Sequence, residues 1–248
     1  MPLSAPAERT GGASTAPDEM LSFETALQRE RELLAGLGGG EHTPRFLVWR
    51  TPQALIMPRG MGAKPGVQYA ATEMARQGWP VHERDTGGDL SPQSPGIVNL
   101  SLAFRDDSAS PSIARAYVRL IEPVNRFLLS EFGIETTAAA VPGSFCDGAY
   151  NVVAGGRKLG GTAQRWRMVR KADGGPGGAD VLAHVALLCS LELVEAVCAI
   201  NTFYALCGIE KRVEAERHVT LAEIVGAERA RPEEVSAALG QYLETERL

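Results

Sequence analysis

The chain has only four cysteines and four histidines among its 248 residues. Cys146, Cys189, Cys198 and Cys207 form no CxxC pair, and His42, His82, His184 and His218 show no ligand spacing. Neither a disulfide scaffold nor a zinc site is therefore expected, and reduced thiols in a cytoplasmic protein are the expectation. Basic charge is scarce too: 25 Lys and Arg against 30 Asp and Glu leave a formal charge of -5. That supplies no surplus for neutralising a phosphate backbone, which sets aside a dedicated nucleic-acid binder. No stretch reaches about 18 uninterrupted apolar residues, so no membrane span is expected. The first forty residues lack a basic segment followed by an apolar one, and no export signal is expected. What is present, 44% hydrophobic and 22% charged residues, suits one packed globular domain.

Residues 1–17 are rich in Ala, Pro, Ser, Thr and Gly, a composition that buries too little to offset ordering entropy, and read as a loose tail. With Asp18 as N-cap, Met20, Leu21, Phe23, Leu27, Leu33 and Leu34 recur at helical spacing until Gly36 and the run 38–40 stop them. Residues 1–40 thus read as tail plus helix, and 41–248 as the main domain. Phe46–Trp49 and Ala54–Met57 read as a strand pair around Thr51 and Pro52. Val67–Gln77 reads as a helix, Pro80–Arg84 and Ile97–Phe104 as strands, and Ser112–Phe132 as a long amphipathic helix closed by Gly133. Ala149–Ala154, Leu159–Val169 and Val181–Leu188 read as strands, with Asp173–Gly178 as a hairpin loop. Leu191–Leu206 reads as a helix, and two short helices follow Glu210, of which Glu233–Leu243 is the clearer. Strands and helices mix without βαβ alternation, so the expected class is α+β, a mixed sheet flanked by helices.

Two glycine-bearing segments stand apart from ordinary loops. One is Glu83-Arg84-Asp85-Thr86-Gly87-Gly88-Asp89; the other runs from Gly155-Gly156-Arg157-Lys158 through Gly160-Gly161-Thr162-Ala163-Gln164-Arg165. Paired glycines let backbone N–H groups approach a ligand, and an adjoining cation suits a carboxylate, phosphate or developing oxyanion. The plain alternative is two tight turns. A third feature is Cys146, alone in a Pro/Gly-bounded loop, Val141-Pro142-Gly143-Ser144-Phe145-Cys146-Asp147-Gly148. The other three cysteines fall in apolar segments, where Cys behaves as a small hydrophobe. Cys146 is thus the candidate nucleophile, with Lys158 as its cation if the intervening strand turns back. The alternative is an inert loop thiol.

The series Arg84-Asp-Thr-Gly-Gly88, Cys146-Asp-Gly-Ala-Tyr-Asn-Val-Val153, Gly156-Arg-Lys158-Leu-Gly-Gly161-Thr-Ala-Gln164-Arg165 and His184-Val-Ala-Leu-Leu188 resembles the lipoate–protein ligase and octanoyltransferase family. Order and separations agree from about Arg45 to Gly226, and the Lys158 segment is the most specific element. The resemblance implies a biotin/lipoate protein ligase-like catalytic domain, here residues 41–248, closest to the cysteine-dependent octanoyl or lipoyl transferase branch. It implies Cys146 and Lys158 as catalytic residues, with Lys158 at the acyl carbonyl. Arg84, Thr86, Gly87 and Gly88 would line an acyl or adenylate pocket, and Gly160, Gly161, Thr162 and Gln164 would bind substrate beside them. Two departures weaken an adenylating reading: Glu83-Arg84 replaces the ligases' paired arginines, and their following His is missing near Pro92.

An acyl thioester already holds an activated carbonyl, so transfer through Cys146 would require no cofactor, and ATP and Mg would matter only to a ligase acting through lipoyl-AMP. The implied donors are octanoyl-acyl carrier protein or an acylated lipoyl-type domain. The implied acceptors are a lipoyl-accepting domain or a glycine cleavage H-type protein. Arg157, Arg165, Arg167, Arg170 and Lys171 would form a docking patch for such acidic partners, unless they line a solvated strand edge. His184 reads as a structural histidine. The remaining alternative is a non-catalytic acyl-domain binder, against which the joint presence of Cys146 and Lys158 speaks.

Overall fold

The computed structural model describes residues 20–39, 43–108, 110–170 and 175–246. The loose tail, the Asp18 cap, His42 and Lys171 fall outside them. In chain order the elements are α1 (Phe23–Ala35), β1 (Arg45–Trp49), β2 (Ala54–Pro58), α2 (Arg59–Gly62), α3 (Val67–Arg76), β3 (Val81–Arg84), β4 (Ser91–Gln93) and β5 (Ile97–Asp106). They continue with α4 (Ile113–Phe132), β6 (Thr137–Ala139), β7 (Asn151–Ala154), β8 (Arg157–Arg170), β9 (Pro176–Leu188), α5 (Leu193–Leu206), α6 (Leu221–Val225) and α7 (Pro232–Thr245).

The class is α+β, built on two sheets. A six-stranded sheet has the order β1-β5-β9-β8-β7-β6, and every neighbouring pair in it is antiparallel. The mixed pairing lies in a small sheet, β3-β2-β4, where β2 runs parallel to β3 and antiparallel to β4. The expected pairing of the first two strands is therefore wrong. β1 aligns Arg45–Trp49 against residues 99–103 of β5, while β2 has left for the other sheet. The Thr51-Pro52 connection permits the departure, since Pro has no N–H to continue a ladder.

The long helix α4 behaves as its pattern demands. Ser112 accepts from the Arg115 N–H at its start, and Gly133 closes it in the left-handed region at φ 71°. Its apolar stripe, including Leu120, Val124 and Phe127, packs with Val181, Val185 and Leu187 of β9 in the main core. A second core joins the small sheet to α3 and α5, and a third seats α1 on Leu47, Trp49, Ala54 and Ile56. α1 is capped by Ser22 and is part of this packing rather than of the tail. Of the expected loop 173–178, residues 173–174 lie outside the described residues, and β9 begins at Pro176 and incorporates Gly178 at φ 85°. Cys198 also departs from expectation, since it is exposed on α5, and Cys207 is half-buried.

Candidate functional site

The two sheets and α1 enclose a cavity. Cys146, Lys158 and Arg84 line one part of it, while Glu30, Gln93, Asn99 and His184 line another, with Trp49, Ile56, Ile97 and Leu188 among the apolar walls. Each sheet contributes one buried cation to the neighbourhood of the thiol.

Lys158 is wholly buried, which excludes a surface charge at a strand start. A bulge aims it. Val153 pairs with Lys158 but Val152 pairs with Gly160, so one extra residue on β8 breaks the alternation and puts Lys158 on the same cavity as Gly161 and Ala163. Its Nζ donates to Phe145 O at 2.6 Å and Cys146 O at 3.0 Å. Burial pushes the ammonium down to about 8 against the opposing pull of Cys146 and Asp147. Gly161 gives it room, because a Cβ there would lie 3.2 and 3.3 Å from Lys158 Cε and Nζ and press on the side chain.

Arg84 ends β3 and is 5% exposed. Its Nε and Nη2 donate to Gly87 O, Nη2 also to Asp89 O, and Nη1 to Ile56 O and Ser91 Oγ. The guanidinium thus shapes the 86–89 turn and also lies 3.6 Å from Cys146 Sγ. Asp89 N–H donates to the same sulfur at 3.1 Å. Gly88 makes this approach, at φ 106°, and a Cβ there would meet Sγ at 2.7 Å. Cys146 itself has φ 43° and is the one described non-glycine residue with positive φ. That conformation costs on the order of 1 kcal/mol for a side chain without local compensation.

The loop carrying Cys146 is clamped at both ends. Asp147 Oδ1 accepts from Val141 N–H and Asn151 Nδ2, each at 2.8 Å. Phe145 stacks on His218, with ring centroids 4.1 Å apart, and donates its N–H to His218 Nε2 at 3.1 Å. Accepting at Nε2, the imidazole is neutral, with Nδ1 against Glu214 O. Burial and the Lys158 charge push His218 down to about 4. His218 has no motif of its own in the sequence; it reaches the site because Val219 N–H bonds Lys158 O at 3.0 Å.

Of the other residues singled out from sequence, Gly161 and Thr162 line the cavity, although the Thr162 hydroxyl donates to Tyr150 O at 2.8 Å. Gly88 and Asp89 border a separate, open cleft with Lys64, Asp147 and Lys211. Thr86, Gly87, Gly160 and Gln164 do not line the cavity. Thr86 is buried with its hydroxyl unpartnered, and Gly87 holds the turn through its carbonyl. Gly160 packs on Leu187 and Val185. Gln164 is turned toward α4, where it donates to Ile113 O and accepts from Trp166. Of the arginines read as a docking patch, Arg167 pairs with Asp180, Arg165 with Asp85 and Arg157 with Glu223, all three side chains remaining partly exposed, and β7 flanks β8 only from Arg157 to Gly160. His184 is structural in its contacts, facing Glu30 at 3.3 Å, yet it also lines the cavity.

Comparison with known proteins bears on the family and the fold. An uncharacterised protein of Cupriavidus necator is 35% identical over 222 residues, covering 87% of each chain. An octanoyl-[GcvH]:protein N-octanoyltransferase of Kyrpidia tusciae is 28% identical over 204 residues, covering 82% of this chain and 69% of that protein. Among solved structures, lipoate-protein ligase A bound with ATP superposes with a TM-score of 0.65 at 17% identity, covering 93% of this chain and 86% of that one, a likeness of fold. The lipoyl protein ligase A/B catalytic domain family matches residues 22–244, nearly the whole of the two-sheet body that holds Cys146 and Lys158, and the chain belongs to that family.

Proposed function

We propose that the protein takes an octanoyl or lipoyl group onto Cys146 as a thioester and passes it to a lysine of a lipoyl-accepting protein. The observation that carries this reading is the placement of the Cys146 sulfur. It sits at a cavity lined partly by apolar side chains, fixed by a left-handed backbone, faced by the Asp89 N–H and the Arg84 guanidinium, with a buried ammonium behind the loop.

In the first step the thiolate attacks the donor's thioester carbonyl, the new C–S bond forms, and the donor sulfur leaves and takes up a proton. In the second step the acceptor's amine attacks the acyl-enzyme, the Cys146 C–S bond breaks, and an amide and the free thiol result. Lys158 gives two of its three N–H donors to Phe145 O and Cys146 O. With a pKa of about 8 it is predominantly an ammonium at neutral pH, so the third donor is available to the carbonyl oxygen as it gains charge.

Arg84 supports transfer over adenylation, because its donors are engaged by carbonyls and Ser91, leaving none for a nucleotide phosphate. The Kyrpidia tusciae relative is named for octanoyl-[GcvH] and protein, and a glycine cleavage H-type protein and a lipoyl-type domain are the partners proposed for this chain. Octanoyl-acyl carrier protein is the other donor to test. Intact mass after incubation with octanoylated donor, without nucleotide, decides. A gain of one octanoyl group, removed by hydroxylamine, is expected. No gain, together with ATP-dependent attachment of free lipoate, overturns the reading.

A further inference from the structure

The cavity floor is one face of the large sheet, and its register gives the order of its residues. Gly161 on β8 pairs with Ala186 on β9, which pairs with Asn99 on β5; in the next row Ala163 pairs with His184, and His184 with Ser101. Lys158 packs over Gly161 at the β8 side. Crossing to β5 spans two interstrand gaps, about 10 Å, comparable to the extent of an eight-carbon chain.

The far side, β5 together with His184 of the adjoining β9, is not lined like an acyl tunnel. Glu30 reaches down from α1 and is 3% exposed. Its Oε1 accepts from Ser101 Oγ at 2.6 Å and faces His184 Nδ1 at 3.3 Å, while Trp49 Nε1 donates to Ser101 Oγ at 3.0 Å. Beside this chain, Gln93 and Asn99 exchange amide hydrogen bonds at 2.9 and 3.0 Å. Glu30, Gln93, Asn99 and His184 all line the same cavity as Cys146.

We propose that this hydrogen-bonded wall, with Glu30 and His184 at its centre, is the specificity-determining end stop that sets the maximum length of the acyl chain. The inference rests on the acyl-carrying reading of the cavity. A wall of Leu or Met yields to a longer chain by changing rotamers, since such side chains have no directional partners to lose. Displacing Glu30 or Asn99 instead strands buried donors and acceptors, each costly to leave unmade. Apolar walls along the cavity provide affinity, and the polar end provides the limit.

The test titrates the full chain with free saturated acids of six, eight, ten and twelve carbons, following affinity by calorimetry. Wild type should bind the ten-carbon acid about 10-fold or more weaker than the eight-carbon acid, the scale of misfitting methylenes in a closed pocket. Glu30→Ala and His184→Ala should raise the ten-to-eight affinity ratio by a similar factor, about 10-fold. A merely structural role would weaken every length equally, and an unchanged ratio overturns the proposal. Ala163→Val, which narrows the row of His184 without touching the hydrogen bonds, should favour six carbons over eight. If the Glu30 and His184 variants do not fold, failure of that shift is the overturning result. Octanoylation of Cys146 is read separately by mass, so the end stop and the thioester can fail independently.

Discussion

Two buried cations approach Cys146 from opposite sheets, and they are held in different ways. Arg84 comes from the small sheet and is surrounded by Ile56 O, Gly87 O, Asp89 O and Ser91 Oγ. Lys158 comes from the large sheet and has two carbonyls, the face of Phe145 at 5.0 Å, and the cavity. The difference follows from the groups themselves. A guanidinium stays charged and carries five donors, so burial demands acceptors for all of them; an ammonium can shed its proton and tolerates a thinner shell. The Arg84 corner therefore builds the turn that faces the sulfur, and the Lys158 corner is left with the donor that the proposed function assigns to the acyl carbonyl.

Removing the sulfur that Arg84 faces, on the residue whose carbonyl Lys158 holds, gives the largest effect. Cys146→Ala should show no acyl adduct by intact mass while retaining its circular dichroism spectrum; transfer at the wild-type rate would show that the corners serve something else. Next is Lys158→Met, which should slow single-turnover acylation by roughly 10²–10³-fold, as loss of one oxyanion donor does, with a smaller loss of stability to urea than Arg84→Lys, since relief of a buried charge offsets part of the cost of unmaking the bonds to Phe145 O and Cys146 O. Lys158→Arg should not restore the rate, because the planar fork needs more room than a compact ammonium and Lys158 is wholly buried, with too little space over Gly161 even for an added Cβ to sit without displacing it.

Arg84→Lys should invert that pattern, costing about 2–4 kcal/mol in urea unfolding by stranding buried carbonyls, with acylation falling less than in Lys158→Met. Equal losses in both measurements for both variants would erase the distinction. The smallest effect concerns pH. The folded state binds Lys158's proton more weakly, at about 8, than the ordinary 10.5. The unfolded chain therefore holds more protons between those values, and this residue's contribution to stability rises with pH across that window. The wild-type minus Lys158→Met stability difference, measured from pH 7 to 10, should change in that sense. A flat difference would place Lys158 in a wetter setting than its burial indicates.

Periodicity and caps made α4 legible to within a residue, because Ser112, Gly133 and the apolar stripe all act locally. The separation of β1 from β2 was not legible, since each is chosen by partners far along the chain. Cys146, Lys158, Arg84 and Gly161 were visible as motif residues, and the structure gathers them around one cavity. Gln164 and Gly160 belong to the same motif but face the other side of β8; strand alternation, interrupted by the bulge after Lys158, separates them from it. His218 carried no signal because its place depends on the coil between α5 and α6 folding back onto Lys158. Glu30 was hidden as one polar position among several in α1, and only packing shows that it points inward.

The division into two sheets also bears on how the chain acquires its site. The cavity draws residues from α1, β1, β2, β3, β4, β5, the Cys146 loop, β8 and β9, and the large sheet joins β1 to β5 and β5 to β9 across long sequence separations. Loop closure on that scale is entropically costly and tends to come late, so high-contact-order pairings fold slowly. Local elements such as α4 can form early and contribute nothing to the cavity lining. Cys146 can therefore be surrounded by this lining only in a chain whose distant strands have met, and the proposed acyl exchange would depend on those long-range pairings.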